Sequence, residues 1–581
     1  KFDFLGLKTL TVLQKAVDLI RRRGIAIDLA SIPLDDAKTY DMLARGETVG
    51  VFQVESAGMR KALVEMRASR FEDIIALVAL YRPGPMANIP VYCARKHGLE
   101  KAEYPHPLLE QVLSETHGII VYQEQVMQAA QILSGYSLGE ADLLRRAMGK
   151  KIKAEMDKQR ERFVSGCLTN GITQGKADEI FDLLAKFADY GFNKSHAAAY
   201  ALVSYHTAYL KANYPVEFMA ASMTLDLSNT DKLSEFRREA VRLGIPVDAP
   251  SINRSGVHFD VSDGRILYAL AAVKGVGAQA VEAIVAARDD RPFRDLGDFA
   301  QRINPRMLNR KTLENLASAG AFDDIEPNRA AASAAIDQVL AEAQRQAEGR
   351  ALGQDELFGG SGAPLIRVPK VEPWLPAQKL DEEYKAIGFF LSGHPLDDYQ
   401  AALKRLRIEP FAQFARSVRQ GASAGRLAGV VTARQERRTK TGNKMGIVTF
   451  SDPSGHFEGV LFSEGLALYR DLLEPGKAVL LAVGAELQGE EVRVRIQSVE
   501  PLDEAAVRVQ KGFRVFVENL GAIDSIARRL PGKGDGEVSL VIRLADAASE
   551  VEVKLPGRFA VSPQIAGAIK AVPGVQAVME M

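Results

Sequence analysis

Cysteine is scarce: Cys93 and Cys167 are the only two among 581 residues. Two thiols cannot build a disulfide framework, and neither has the close-spaced Cys or His partner of a structural zinc site. A reducing, cytoplasmic setting is therefore expected. Net charge is also missing, because 74 basic residues offset 74 acidic ones. Bulk electrostatics do not point to a polyanion, so any nucleic-acid contact must be a local patch. Long apolar runs are absent. The most apolar stretches, Ile74 to Tyr81 and Ala478 to Val483, fall well short of the ~18 residues of a bilayer span, so no transmembrane helix and no membrane partner is expected. There is no Walker loop, HExxH, GxSxG or CxxC, which leaves the corresponding enzyme classes unsupported.

What is present is ordinary globular material, 47% apolar and 25% charged. At roughly 100–200 residues per domain, three to five domains are expected. From about Thr9 to about 250 the periodicity is helical, as in Ala62 to Met66, Leu108 to Leu113, Val126 to Leu133 and Ile180 to Phe187. Ser137 and Glu140 spell a capping box ahead of Leu143 and Leu144. Pro215 and the stretch from Gly244 to Pro246 punctuate the end of this all-α block. Further helices are predicted around Thr312 to Leu316 and from Arg329 to Glu348, followed by a Gly-, Ser- and Pro-rich loop. Beyond about 424 the period changes to two. Leu427 to Val431, Gly446 to Phe450, Phe457 to Phe462, Ala478 to Val483 and Val492 to Ile496 suit a five-stranded oligonucleotide-binding (OB) barrel. Strands at Arg514 to Val517, Glu537 to Arg543 and Glu550 to Leu555 mix with helices in a compact α+β tail. The fold class is thus multidomain α+β.

Several clusters carry chemistry. Asp3 sits between Phe2 and Phe4 beside Lys1. It reads as a surface turn carboxylate, or as one member of a metal-holding set, which needs more than one carboxylate. Arg145, Arg146, Lys150, Lys151 and Lys153 place five cations in nine residues without an acid. Adjacent helical arginines point about 100° apart, so a solvated charge run competes with contact to polyphosphate or DNA. Asn193 precedes an Ala-rich helix that Lys194, Ser195 and His196 open, where free N–H groups favour an anion. His196 alone reads equally as a core histidine sharing a face with Tyr200, Ser204 and Thr207. Lys274, Gly275 and Gly277 resemble a helix-hairpin-helix turn that reaches DNA phosphates through backbone N–H groups, although a plain packing turn fits as well. Arg434, Arg437, Arg438, Lys440 and Lys444 crowd the loop between the first two barrel strands against Glu436. Phe450, Phe457 and Phe462 are available for base stacking or for the barrel core. Gln354, Leu357 and Phe358 form a candidate peptide ligand in the Gly-rich loop.

Taken together, KFDFLGLKTL at 1–10, YRPGPM at 81–86, GIIVYQEQVM at 118–127, LLRRAMGKK at 143–151, GFNKSHAAAYALVSYHTAYLK at 191–211 and LSGHPL at 391–396 resemble the alpha subunits of bacterial DNA polymerase III, the C-family replicative polymerases. The resemblance covers essentially the whole chain. It implies the end of a palm at 1–10, fingers at 11–262 and a helix-hairpin-helix and clamp-binding domain at 263–420. An OB domain at 424–502 and a C-terminal tau-binding-like domain at 510–581 follow. It implies that Asp3 is a catalytic and metal-binding aspartate, and that Lys1, Arg82, Arg145, Arg146, Lys194, Ser195 and His196 border the incoming triphosphate. Gln354 to Phe358 then matches a sliding-clamp motif. The implied reaction is nucleotidyl transfer from a dNTP to a primer 3′-hydroxyl, with two Mg2+ ions. Primer-template DNA, the beta sliding clamp and the tau subunit of the clamp loader are the implied partners, with a proofreading exonuclease docking on a region that precedes Lys1. The D-x-D pair, thumb and PHP domain of the family would also precede Lys1. The expectation is therefore a C-terminal half that does not polymerise by itself. A non-catalytic DNA-binding scaffold and an error-prone translesion paralogue are the rival readings.

Overall fold

The structure, a computed structural model, describes residues 6–150, 153–188, 191–351, 366–438, 444–488, 491–518, 520–530, 532, 534–543 and 550–581. Lys1, Asp3, Gln354, Leu357, Phe358 and Lys440 lie outside the described residues. Contacts divide the chain into two compact units, Lys1–Leu225 and Asp226–Met581.

The first unit is helical. Its elements used below are α1 (Lys8–Arg22), α2 (Phe71–Leu80), α3 (Gln123–Ser134), α4 (Leu138–Lys150), α5 (Lys194–Asn213) and α6 (Pro215–Leu225). Ala197, Ala201, Tyr205 and Ala208 recur four, four and three residues apart along α5 and are fully buried. Small side chains at that spacing let α5 lie close against α2, whose residues 73–80 are all buried. The buried Tyr205 hydroxyl is satisfied at both ends, donating to the Pro33 carbonyl at 2.8 Å and accepting from the Asp36 N–H at 3.1 Å. A second core joins Val126, Ala130 and Leu133 to Leu144, Phe163 and Phe181. Pro215 does not end the helical block as the sequence suggests; it opens α6, where a missing N–H is harmless at the first helical position. The α6 helix packs on α1, with the buried Glu217 held by Arg23 at 2.6 Å.

The second unit begins with α7 (Thr230–Arg242), and α8 (Ala278–Arg288), α9 (Arg310–Ala319), α10 (Arg329–Ala334) and α11 (Pro376–Ile387) follow. A small sheet, β1 (Val247–Asp248), β2 (Asp260–Ser262) and β3 (Arg265–Leu267), lies in order β1-β3-β2. Strands of two or three residues are too short to leave a period in the sequence, which is why none is predicted there. Asp298 organises the stretch after α8. Arg291 grips its carboxylate with two bonds of 2.6 and 2.8 Å, and the Arg294 N–H adds a third at 3.0 Å. These bonds, Arg291's first, hold its carboxyl down at about 2. A depressed carboxylate contributes stability above its unfolded value, near 4, and loses it as pH falls toward 2. Asp298→Asn should therefore cost up to about 2 kcal/mol at pH 7 and flatten the loss of stability between pH 5 and pH 3. Urea midpoints across that range check this.

The period-two segment forms the expected closed barrel, from β4 (Ala424–Arg438), β5 (Lys444–Asp452), β6 (Gly455–Phe462), β7 (Ala478–Gln488) and β8 (Glu491–Pro501). The strand order is β4-β5-β6-β8-β7, with β6 and β8 parallel and β4 closing antiparallel on β7. Leu427, Val448, Leu481 and Ile496 fill it. Two of the three stacking candidates belong to this core. Phe450 and Phe457 are buried and stack on each other at 5.2 Å, because alternate residues of a strand in a small barrel must point inward. Phe462 alone is exposed, with the Arg495 guanidinium 5.3 Å from its ring. The tail sheet runs β11 (Glu550–Lys554), β10 (Glu537–Arg543), β9 (Gly512–Val517), β12 (Val575–Glu580) in spatial order. Its fourth strand, β12, is an addition to the three expected.

Candidate functional site

Two helices of the first unit start side by side. The chain before α3 and the chain before α5 pair as a parallel bridge at Tyr122 and Phe192. Gln123 N–H donates to the Phe192 carbonyl at 2.9 Å, and Phe192 N–H donates to the Val121 carbonyl at 3.1 Å. A Cβ on Gly191 would press on Gln123 at 3.2 Å, so glycine permits this approach. The bridge lays two positive helix ends next to each other.

Four of the expected triphosphate residues gather on this bridge. The Arg82 guanidinium lies 4.4 Å over the Phe192 ring and donates from Nε to the Ala79 carbonyl at 2.9 Å. Burial lowers its pKa, the direction for a cation deprived of water. His196 stacks on Tyr200 at 4.3 Å and meets Phe192 edge-on at 5.5 Å. Lys194 Nζ binds both oxygens of Glu115, at 2.7 and 2.9 Å, with the Tyr122 ring 5.3 Å away. Arg145 reaches Gln123 Oε1 at 3.4 Å, next to the bridge. Ser195 is exposed on the first turn of α5.

The cations engage acids of the chain itself. Arg145 and Arg146 both hold Asp142, each at 2.7 Å, and the hydrogen bonds of Arg145 lead the effects that lower the Asp142 pKa. The acid-free window seen in the sequence stops three residues short of Asp142, one helical turn back. Two of the N–H groups that open α5, those of Lys194 and His196, are occupied too. Glu124 accepts from Lys194 N–H at 2.9 Å and from Asn193 Nδ2 at 2.8 Å, while Asn193 Oδ1 accepts from His196 N–H at 2.9 Å. Side chains, more than the bare helix end, are what this site offers an anion. Its ion pairs are half exposed, and such pairs contribute about 0–1 kcal/mol each. A ligand carrying several negative charges can displace them. The capping box forms as predicted and fixes the start of α4: Ser137 N–H donates to Glu140 at 2.7 Å, and Glu140 N–H to Ser137 Oγ at 3.3 Å.

Glu115, Glu124, Gln123 and Phe192 were not singled out from the sequence. They stand 79, 70, 71 and 2 residues from Lys194, and only Phe192 lies within reach of local pattern reading. The other three belong to the bridge and its surroundings, which tertiary packing creates.

In the second unit, Gly275 adopts φ +72° and Gly277 caps α8. The turn is locked onto α9, with Thr312 Oγ1 donating to the Gly275 carbonyl at 3.2 Å and Asn315 Nδ2 to the Lys274 carbonyl at 2.6 Å. The Lys274 ammonium lies 6.0 Å over the Tyr384 ring of α11, and burial lowers its pKa. At the far end of the β4–β5 hairpin, Arg437, Arg438 and Lys444 are exposed. Arg434 turns back to the Arg470 carbonyl at 2.6 Å, and Glu436 pairs with Arg470 at 3.2 Å. Among the described residues no group of three or more His, Cys, Asp or Glu side chains could hold a metal ion. Asp3, the carboxylate expected to hold a metal, lies outside them.

Comparisons with known proteins agree with this architecture. The family model described as the bacterial DNA polymerase III alpha subunit finger domain matches residues 9–171, and a helix-hairpin-helix motif model matches 244–332. DNA polymerase III subunit alpha of Caulobacter vibrioides is 52% identical over 581 residues, covering 99% of this chain and 51% of that protein. The subunit of Escherichia coli K12 is 40% identical over 610 residues, covering 100% of this chain and 52% of that protein. The second OB-fold domain of replication protein A from Methanococcus maripaludis aligns over 14% of this chain and 84% of its own, with 15% identity and a TM-score of 0.12. The barrel itself is defined by its closed strand order. No described helix is long and apolar enough to cross a membrane. Spanning about half the length of the curated relatives it matches, the chain belongs to the family of bacterial DNA polymerase III alpha subunits.

Proposed function

We propose that this chain supplies the nucleotide-gripping and DNA-holding part of a replicative, cytoplasmic DNA polymerase, in which a dNTP is transferred to a primer 3′-hydroxyl on a template. The observation that carries the reading is the meeting of Arg82, Arg145, Lys194 and His196 on the Tyr122–Phe192 bridge. In that role Arg145, Arg146 and Lys194 exchange Asp142 and Glu115 for phosphate oxygens, while His196 and Arg82 line the approach. Cations already positioned at a rigid helix pair lower the barrier by orienting the triphosphate and offsetting charge on the leaving pyrophosphate. Lys1 and Asp3 belong at the same triphosphate in this reading, and Mg2+ is the cation Asp3 would help hold. Titration of the chain with a fluorescent dNTP tests it. The Arg145→Ala, Lys194→Ala double variant is expected to lose at least about tenfold in affinity, since each charged hydrogen bond contributes about 1.5–3 kcal/mol. Unchanged affinity would reject the reading.

The helix-hairpin-helix turn at Lys274, Gly275 and Gly277 and the basic hairpin of the barrel hold DNA through its backbone, without reading sequence. Arg437, Arg438 and Lys444, and with them Arg434 and Lys440, are the phosphate contacts on the barrel. Changing Arg437, Arg438 and Lys444 together to Ala should lower the slope of log K against log salt for a single-stranded oligonucleotide by about 2, at roughly 0.7 per contact. Gln354, Leu357 and Phe358 engage the beta sliding clamp, and the tail sheet engages the tau subunit. Both contacts raise processivity by tethering. The proofreading exonuclease belongs to another part of the assembly.

A further inference from the structure

The second unit contains a cavity of about 110 Å³ between α7, the 389–397 segment and the turn that joins β5 to β6. Arg237, Arg238, His394, His456, Ser451 and Asp452 line it. The two arginines are adjacent on α7, and each has one hydrogen bond to a carbonyl. Arg237 Nη2 donates to Leu391 at 2.8 Å and Arg238 Nη1 to Ser454 at 3.2 Å. Among the described residues, neither guanidinium forms an ion pair. A guanidinium has five N–H donors, so each of these two lining side chains keeps four that no described residue accepts. Gly455, at φ +140°, makes room for one of them, because a Cβ there would collide with Arg238 Nη1.

The acids nearby are bound elsewhere. Asp452 Oδ1 accepts from Ser454 N–H, Ser454 Oγ and Gly455 N–H at 2.6–2.9 Å, and its Oδ2 from Phe411 N–H at 2.6 Å. Asp397 accepts from His394 N–H at 2.7 Å. Glu383 takes the N–H groups of Leu391 and Ser392 and faces Arg329. Glu235 is paired with Lys232 at 3.0 Å. Burial outweighs the attraction of these acids and lowers both arginines from their ordinary values. Partly desolvated cations with open donors call for an anionic partner. The histidines suit one without adding charge. His394 Nδ1 accepts from Leu396 N–H at 3.1 Å, which leaves Nε2 to donate toward Ser451 Oγ at 3.1 Å. Burial lowers the pKa of both, that of His394 to about 3.

We propose that this cavity binds a single tetrahedral oxyanion of the phosphate class, gripped by Arg237 and Arg238. Its volume is that of a few waters, at about 30 Å³ each, which suits a single phosphate group. The site lies wholly within the second unit and does not depend on the reading of the nucleotide pocket. Free inorganic phosphate and the terminal phosphate of a nucleic-acid strand share this chemistry.

The test is a titration of the chain with sodium phosphate at constant ionic strength, followed by thermal shift and by 31P line broadening, with chloride as the control. A saturable effect is expected, reproduced by sulfate. It should weaken about tenfold or more in Arg237→Gln and in Arg238→Gln, each verified as folded by circular dichroism. Absence of a saturable phosphate effect overturns the proposal. So does undiminished binding in the two folded variants, or a shift that chloride reproduces. Competition by a 5′-phosphorylated oligonucleotide but not its 5′-hydroxyl form assigns the site to a strand end; competition by neither assigns it to the free ion. Both of those results uphold the site.

Discussion

Lys194→Ala is expected to lower kcat/KM for nucleotide incorporation by the complete subunit about 10²–10³-fold, the loss typical when one preorganised donor to a developing oxyanion is removed. Stability should change little. The Lys194 side chain is 39% exposed and its Glu115 partner 34%, and exposed pairs of this kind contribute about 0–1 kcal/mol. That contrast makes the experiment decisive, because a residue that only packs would show the reverse. Glu115→Gln supplies the second arm. If Lys194 serves the triphosphate, removing its resting partner leaves incorporation intact or improves it. An equal fall in both variants would mean that the pair matters only as a strut. Primer extension at subsaturating dNTP, alongside urea unfolding, reads both quantities.

Arg329→Ala should destabilise the second unit by about 3–5 kcal/mol, the penalty for stranding a buried charge. Arg329 is buried at 4% exposure, and Glu383 is not exposed at all. Its guanidinium binds Asp323 at 2.8 and 2.9 Å, the Ser318 carbonyl at 3.2 Å and Glu383 at 3.4 Å. Glu383 in turn accepts the N–H groups of Leu391 and Ser392 at 2.9 and 2.8 Å. One cation thus ties the end of α9 and the start of α10 to α11 and to the 391–396 segment. Adding Glu383→Gln to Arg329→Ala should recover a large part of the loss, because an amide still accepts those N–H groups and leaves no orphan charge. Shifts of the urea midpoint in the single and double variants measure it. No recovery would place the cost in lost packing instead.

Both experiments rest on pairs that no local pattern reveals, and this marks the limit of reading the chain directly. The barrel was legible because its strands alternate inward and outward every second residue, and the five expected segments all lie within β4 to β8. The capping box was legible because its two bonds join residues three apart. Arg145 and Lys194 were legible as cations at helix positions, yet their partners were not. Asp142 lay just outside the window considered, and Glu115 stands 79 residues from Lys194. Phe450 and Phe457 stood open between base stacking and core in the sequence, and barrel closure decided for core.

The amino-acid order alone marked the long helices and the barrel strands, because their periods rest on residues two to four apart, whereas the short β1 to β3 and the added β12 leave no such mark. It also determined which family the chain resembles, through runs such as GFNKSHAAAYALVSYHTAYLK. Tertiary structure alone decided which charges are paired: Lys194 with Glu115, Arg329 with Glu383, and Arg237 and Arg238 with no carboxylate among the described residues. The reason is electrostatic. A charge acts over several ångströms of space whatever the separation along the chain, so its partner is set by which surfaces the packed helices and barrel bring together.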